Sequence, residues 1–291
     1  MNLIENDRSM TDKIVLITGG TSGIGKETAL GLARKNATIV IVGRDKEKTI
    51  RTVDEIRRTT GNGRVDHYLC DLSSLADVRK LAGDFLSDHS RLDVLFNNAG
   101  AINSMRLLSQ DGYELTFAVN HLAHFLLTDL LLSTLKKSSP SRVITTSSAA
   151  ANMGHMHFDD LMLERNYTAF KAYNQSKLAN QLFTFELARR LHQTEVTANC
   201  LHPGMVRTGF AMNNRGALKT GIALFRPFMI GAKRAAVTPI YLASSPEFQN
   251  VTGKYFKKKM IKEPPKEAMN LETASRLWEI SEKLVKKGIE R

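Results

Sequence analysis

Five apolar, β-branched runs recur along the chain, each closed by a polar or glycine-rich break and followed by a stretch whose apolar positions fall at helical spacing. KIVLIT leads into Gly19 to Gly25 and then KETALGLARK, and ATIVIV ends at Gly43-Arg44-Asp45. VDHYL ends at Cys70-Asp71, LDVLF at Asn97-Asn98-Ala99-Gly100, and RVITT at Ser147-Ser148. Runs this continuously apolar belong to strands buried on both faces, and their alternation with helices implies parallel β-α-β crossovers. The expected fold is therefore α/β: a doubly wound, mainly parallel sheet of about seven strands flanked by helices. Ligands of such sheets lie beyond the carboxyl ends of the strands, where the unusual residues of this chain collect.

A length of 291 residues with 42% hydrophobic content suits one large core. No repeat, Pro-rich or Gly/Ser-rich linker divides the chain, so one domain over 1–291 is expected, with a core at about 13–256 and a helical extension at about 257–291. Cys70 and Cys200 lie in apolar stretches and lack the spacing of a zinc site or a disulfide scaffold, which suits a reducing compartment. MNLIENDRSM has neither the apolar core of a signal peptide nor an anchor, so a cytoplasmic location is expected. The apolar stretch from Phe117 to Leu135 is interrupted by Asn120, His121, His124 and Asp129 and reads as a buried core helix rather than a membrane span. The net charge of +12 is dispersed and interleaved with acids, which favours a solvated surface; nucleic acid is disfavoured because no aromatic-rich basic face appears. A peripheral membrane contact through the lysine-rich carboxyl-terminal segment and a homo-oligomer both stay open.

In TGGTSGIG, glycines at 19, 23 and 25 allow a tight turn and let backbone approach a pyrophosphate at the positive end of the next helix. Thr21, Ser22 and Ile24 complete that turn. Glycine-rich strand-to-helix turns also occur for packing alone, but the position after the first strand favours dinucleotide binding. Where the second strand ends, an NAD site needs a carboxylate for the ribose hydroxyls and an NADP site a cation for the 2′-phosphate. Arg44 stands there, with Lys26 and Lys48 close in sequence, so NADP(H) is the expected cofactor. Asp45, one residue later, would take the ribose role if the turn were shifted.

Tyr173 and Lys177 stand one helical turn apart in YNQSK, on one face. The spacing alone also suits a solvated pair. An adjacent ammonium makes a phenolate more accessible, so the pair is suited to trading a proton with an alcohol or carbonyl.

With TGGTSGIG, Asp71, NNAG at Asn97 to Gly100, Asn120, Ser148, YNQSK and HPGMVRT at His202 to Thr208 in this order, the chain resembles the short-chain dehydrogenase/reductase family from about Lys13 to Phe256. KETA, GRDKEK, SKLAN, ELARRL, the insert between Ser148 and Tyr173, and the tail ASRLWEISEKLV resemble its retinol-dehydrogenase type. The resemblance implies a Rossmann fold and hydride transfer between a nicotinamide and a carbonyl or alcohol, with Tyr173 as general acid or base. It further implies that Lys177 lowers the pKa of Tyr173 and holds the nicotinamide ribose, that Ser148 rather than Ser147 polarises the carbonyl, and that Asn120 fixes a water linking Lys177 to solvent. It places Asp71 at the adenine, Asn98 and Gly100 along the cleft and Thr208 on the nicotinamide carboxamide, with Leu72, Ala99, Pro203, Gly204 and Val206 as further cofactor contacts. On the residues alone, Asn120 suits a helix bend, Ser148 a strand-end cap and Thr208 a helix N-cap equally well.

No metal is expected: His121 with His124 and His155 with His157 lack a third ligand at persuasive spacing. Phe210, Met212, Leu224, Phe225, Phe228 and Met229 either form a lid over a small lipophilic aldehyde, ketone or alcohol or pack the segment onto the sheet. The alternative to an enzyme is a nucleotide-sensing or partner-binding protein of the same fold with little turnover; the intact Asn120, Ser148, Tyr173 and Lys177 set argues against it.

Overall fold

The computed structural model describes residues 9–206 and 229–287. Its chain order begins β1 (Ile14–Thr18), α1 (Gly23–Arg34), β2 (Thr38–Gly43), α2 (Lys46–Thr60), β3 (Val65–Leu69), α3 (Leu75–Asp88) and β4 (Val94–Asn97). A short helix α4 (Leu115–Phe117) passes through a π turn at Ala118–Leu122 into α5 (Ala123–Lys137), followed by β5 (Ser141–Thr146), α6 (Ala169–Arg190) and β6 (Val196–His202). After the undescribed segment come α7 (Ala232–Ala235), α8 (Val237–Ser244), the hairpin β7 (Tyr255–Lys257) and β8 (Met260–Lys262), and α9 (Leu271–Lys286).

The strands form one sheet in the order β3-β2-β1-β4-β5-β6-β7-β8, parallel except for β8 against β7. The order reverses between β1 and β4, which opens the crevice where ligands of such sheets bind. Among the described residues the sheet has eight strands rather than about seven, and β8 lies near the start of the stretch expected as a helical extension. MIK at β8 is exposed along its length and preceded by three lysines, so it carries no buried periodicity to read.

Alternation within each strand divides the core between the two faces. Leu16, Val40 and Val42 join α3, α5, α6 and α9 in one cluster, while Val15, Ile17, Ile39 and Ile41 pack against α1 on the other. On the first face Trp278 of α9 stacks on Phe183 and meets Phe125 edge-on, with Arg190 over its ring, so α9 seals α5 and α6. The stretch Leu115–Lys137 is long and apolar enough to cross a membrane by composition, its polar interruptions notwithstanding, but 72% of its most apolar window is buried inside the fold. It serves here as the expected core helix.

Candidate active site

The nucleotide side of the crevice is shaped by the space that glycines leave. Gly19 (φ +65°) and Gly23 (φ +54°) hold left-handed conformations that other residues rarely adopt. A β-carbon on Gly25 would lie 2.3 Å from the Gly19 carbonyl oxygen and 2.6 Å from Asn98 Nδ2. The turn thus brings α1 against β1 and β4. Ser22 caps α1 without a side-chain hydrogen bond, so no side chain of the cap occupies the first-turn N–H groups of α1, which suit a diphosphate. Ile24 and Thr21 are half-buried beside it.

Asn98 is spent on holding this turn. Its Nδ2 donates to Thr18 O at 2.9 Å, and the main-chain N–H groups of Asn98 and Ala99 both donate to Thr18 Oγ1, at 2.9 and 3.1 Å. Gly100 follows, half-buried on the cleft. Asp71 accepts from Ser73 N at 3.0 Å and Leu72 is buried, so this corner is a tied loop beyond β3.

At the tip of β2 the side chain of Arg44 is exposed, whereas Asp45 Oδ1 caps α2 by accepting from Lys48 N at 2.8 Å. The cap engages one carboxylate oxygen, which weighs against the ribose role for Asp45. Lys26 is paired with Glu55 across α1 and α2 at 2.5 Å, which removes it from the group expected to assist Arg44.

The reacting side is built at the ends of β5 and β6 and on α6. Ser148 caps the 3-10 turn Ala149–Met153, its Oγ accepting from Ala150 N at 3.2 Å, and the same side chain bonds the Tyr173 hydroxyl. Gly154 ends that turn against α6: a β-carbon there would meet Asn174 O at 2.6 Å, and this close approach brings Ser148 to the helix. Ser147 points away, donating to Lys177 O at 2.8 Å. The Lys177 ammonium lies 5.6 Å from the Tyr173 ring centroid and donates to Thr146 O at 3.1 Å. Asn120, in the π turn, grips Ala101 through both ends of its amide and donates to Ser176 Oγ at 2.9 Å, so it does sit at a helix irregularity beside α6.

Burial governs the titration of these groups. Tyr173 is pushed up to about 12, with the Ser148 hydrogen bond pulling the other way, and Lys177 is pushed down to about 8. The expected lowering of Tyr173 by its lysine does not emerge: desolvation raises the hydroxyl, and the opposing pull comes from Ser148 rather than from Lys177.

Several organising residues carry no motif. His124, held neutral by burial down to about pH 3, links Thr18 Oγ1 (3.0 Å) to the Asn120 carbonyl (3.1 Å), joining the nucleotide turn to the π turn. His202 Nδ1 accepts from Ala149 N at 3.2 Å and steadies the Ser148 turn. Asn180 shares the Thr146 carbonyl with Lys177; its position three residues beyond Lys177 and seven beyond Tyr173, on the same helical face, is the one signal that could have found it. Pro203 and Gly204 (φ +96°) lead from β6 to Val206, which bridges Ile230. Thr208 and the lid residues Phe210, Met212, Leu224, Phe225 and Phe228 lie outside the described residues; Met229 is half-buried. The described residues hold no cluster of three or more metal-ligating side chains.

Residues 13–219 match the family model for short chain dehydrogenase. The chain belongs to that family. It is an oxidoreductase of the retinol-dehydrogenase-like type: human retinol dehydrogenase 13 is 44% identical over 279 residues, which is 94% of this chain and 84% of that protein. Among solved structures, an uncharacterised protein from Mycobacterium paratuberculosis superposes with a TM-score of 0.76 at 34% identity, covering 95% of this chain and 94% of its own. A short chain dehydrogenase from Escherichia coli CFT073, complexed with NADPH, superposes at 0.69 with 26% identity, covering 87% and 99%.

Proposed function

We propose that this protein is an NADP(H)-dependent oxidoreductase that interconverts a lipophilic aldehyde or ketone and its alcohol. The observation that carries the reading is the Ser148–Tyr173 hydroxyl pair with Lys177 one turn away, set across the crevice from a glycine turn too tight for a β-carbon. A dinucleotide fits this chain: the open first turn of α1 suits its diphosphate, exposed Arg44 suits a 2′-phosphate, and the crevice at the strand reversal suits its length. NADPH in a 26%-identical structure of the same fold supports the choice. When bound, the nicotinamide supplies or takes the hydride.

The chain's own part is proton transfer and placement. In reduction Tyr173, kept protonated through the neutral range by burial, donates its hydroxyl proton to the carbonyl oxygen. Ser148 donates a second hydrogen bond to that oxygen and fixes its direction. The Lys177 ammonium then steadies the phenolate left on Tyr173. In oxidation the same atoms work in reverse. Asn120 keeps α4, α5 and α6 in register around them through Ala101 and Ser176. The two buried thiols, Cys70 and Cys200, suit a reducing compartment, and we place the protein in the cytoplasm.

Consumption of NADPH with a panel of aliphatic and polyene aldehydes and ketones tests this. Turnover that rises with the length of the apolar chain is expected; NADPH binding without turnover on any member would establish the nucleotide-sensing alternative instead.

A further inference from the structure

The stretch from Asn98 to Ala101, which runs along the cleft beyond β4, is fastened at both ends by side chains of other elements. At one end Thr18 Oγ1, at the tip of β1, accepts from Asn98 N at 2.9 Å and from Ala99 N at 3.1 Å. At the other, Asn120 Oδ1 accepts from Ala101 N at 2.6 Å, while its Nδ2 donates to Ala101 O at 3.0 Å and to Ser176 Oγ at 2.9 Å. Ser176 in turn donates to the main-chain carbonyl of Tyr173 at 2.8 Å. One side chain joins the two fastenings. His124, 1% exposed in the first turn of α5, has Nε2 3.0 Å from Thr18 Oγ1 and Nδ1 3.1 Å from the Asn120 carbonyl oxygen.

Donor and acceptor capacity assigns the protons of this circuit. The Asn120 carbonyl can only accept, so Nδ1 carries hydrogen. Burial first, and the Lys177 ammonium second, keep the ring neutral down to about pH 3, so Nε2 is bare and accepts the Thr18 hydroxyl proton. Both lone pairs of Thr18 Oγ1 are then left for the N–H groups of Asn98 and Ala99, and the hydroxyl is filled. The reverse tautomer would set two acceptors against each other at Asn120 and aim three N–H donors at the two lone pairs of Thr18. The Phe96 carbonyl, 3.4 Å from Thr18 Oγ1, is the hydroxyl's more distant acceptor. Volume on the other side of the stretch is committed too, because a β-carbon on Gly19 would lie 3.0 Å from Ala99 Cα. A displaced Asn98–Ala101 stretch therefore disturbs the packing of the glycine turn.

We propose that His124, as its Nδ1–H tautomer, is a positioning residue that fixes the separation of Thr18 and Asn120 and so holds the Asn98–Ala101 stretch in register with both the glycine turn and the Tyr173 helix. Its action is indirect, through the residues it ties together. The functional consequence rests on the dinucleotide reading of the crevice given above, whereas the circuit itself does not. With NADPH in the crevice, affinity comes to depend on a contact at the π turn, and the placement of α6 on a contact at the tip of β1.

Two substitutions cut the circuit at opposite ends. His124→Gln keeps an acceptor for the Thr18 hydroxyl and gives up the donor to Asn120 O; His124→Asn keeps that donor and falls short of Thr18. Amide hydrogen exchange at Ala99 and Ala101, NADPH affinity by calorimetry and kcat are measured for each in the full chain. Leu131→Ala, which removes a fully buried side chain farther along α5 without touching the circuit, is the control. Both His124 variants are expected to speed exchange at the two amides relative to those of β2, and to weaken NADPH binding and lower kcat about three- to tenfold, the reach of one lost hydrogen bond. Leu131→Ala should leave affinity and kcat in place. Unchanged exchange and affinity in both His124 variants overturn the proposal, as does an equal loss of affinity in Leu131→Ala. A proton found on Nε2 by the ¹⁵N shifts of the His124 ring overturns it as well, and that measurement needs no substitution. Faster exchange at Ala99 and Ala101 in the variants of a protein that binds no NADPH upholds the circuit and overturns the proposed function.

Discussion

On the β1–β4 side the crevice is defined by atoms that are missing, the β-carbons of Gly19, Gly23 and Gly25, and its polar groups are main-chain N–H donors. On the β5–β6 side it is defined by polar side chains that burial has stripped of water, with Lys177 2% exposed and Ser147, Asn180 and His121 buried around it. The first arrangement recognises a ligand by shape and backbone dipole and tolerates little added volume. The second tunes proton affinity and is sensitive to charge and hydrogen bonding rather than bulk. Binding and chemistry should therefore separate under mutation.

The largest effect should come from filling the glycine turn. Gly25→Val places carbon where Gly19 O and Asn98 Nδ2 already stand, and NADPH affinity should fall roughly a hundredfold or more by calorimetry. Unchanged affinity would show that the turn does not face the nucleotide. Trp278→Ala is the counterpart on the other side: it opens the aromatic junction of α9 with Phe125 and Phe183 and should cost about 3 kcal/mol in urea unfolding. The folded fraction should still bind NADPH normally, and a matching loss of affinity would erase the division between the two sides.

Arg44→Ala should narrow the preference for NADPH over NADH by about tenfold, the worth of one charge-assisted contact, with little change for NADH. Equal loss for both nucleotides would mean that Arg44 does not read the 2′-phosphate. The last effect concerns acid. His121 and His124 titrate near 3 in the fold against 6.5 when exposed, so between those values the unfolded chain binds more protons and stability declines as pH falls from 6.5 toward 3. His121→Phe should flatten that decline in the urea midpoint. A slope unchanged by the substitution would place the acid sensitivity elsewhere.

What could be read beforehand follows the same division. Five strands and the glycine turn were legible because continuous apolar runs and glycines at fixed spacing report directly on backbone geometry. That Tyr173, Lys177 and Ser148 come together was legible from spacing and family resemblance, and the structure joins Ser148 to the tyrosine hydroxyl while Ser147 bonds Lys177 O. The pairing of Lys26 with Glu55 and the capping role of Asp45 were not, since each depends on which side chain across a helix boundary wins a partner. Nor was the bond between His121 and Ser281, because the two are 160 positions apart in the chain and only the packing of α9 brings them together. The rise of Tyr173 to about 12 has the same origin: sequence shows the neighbouring lysine, while the extent of desolvation is a property of the folded core.

The central claim is that Tyr173 moves the proton while other residues hold the nucleotide. Pre-steady-state reduction of a long-chain aldehyde by Tyr173→Phe, measured beside its NADPH dissociation constant, addresses both halves at once. The account predicts turnover lowered by ~10²–10⁴-fold with the dissociation constant within a few-fold of the unmodified protein. Turnover close to that of the unmodified protein would contradict it.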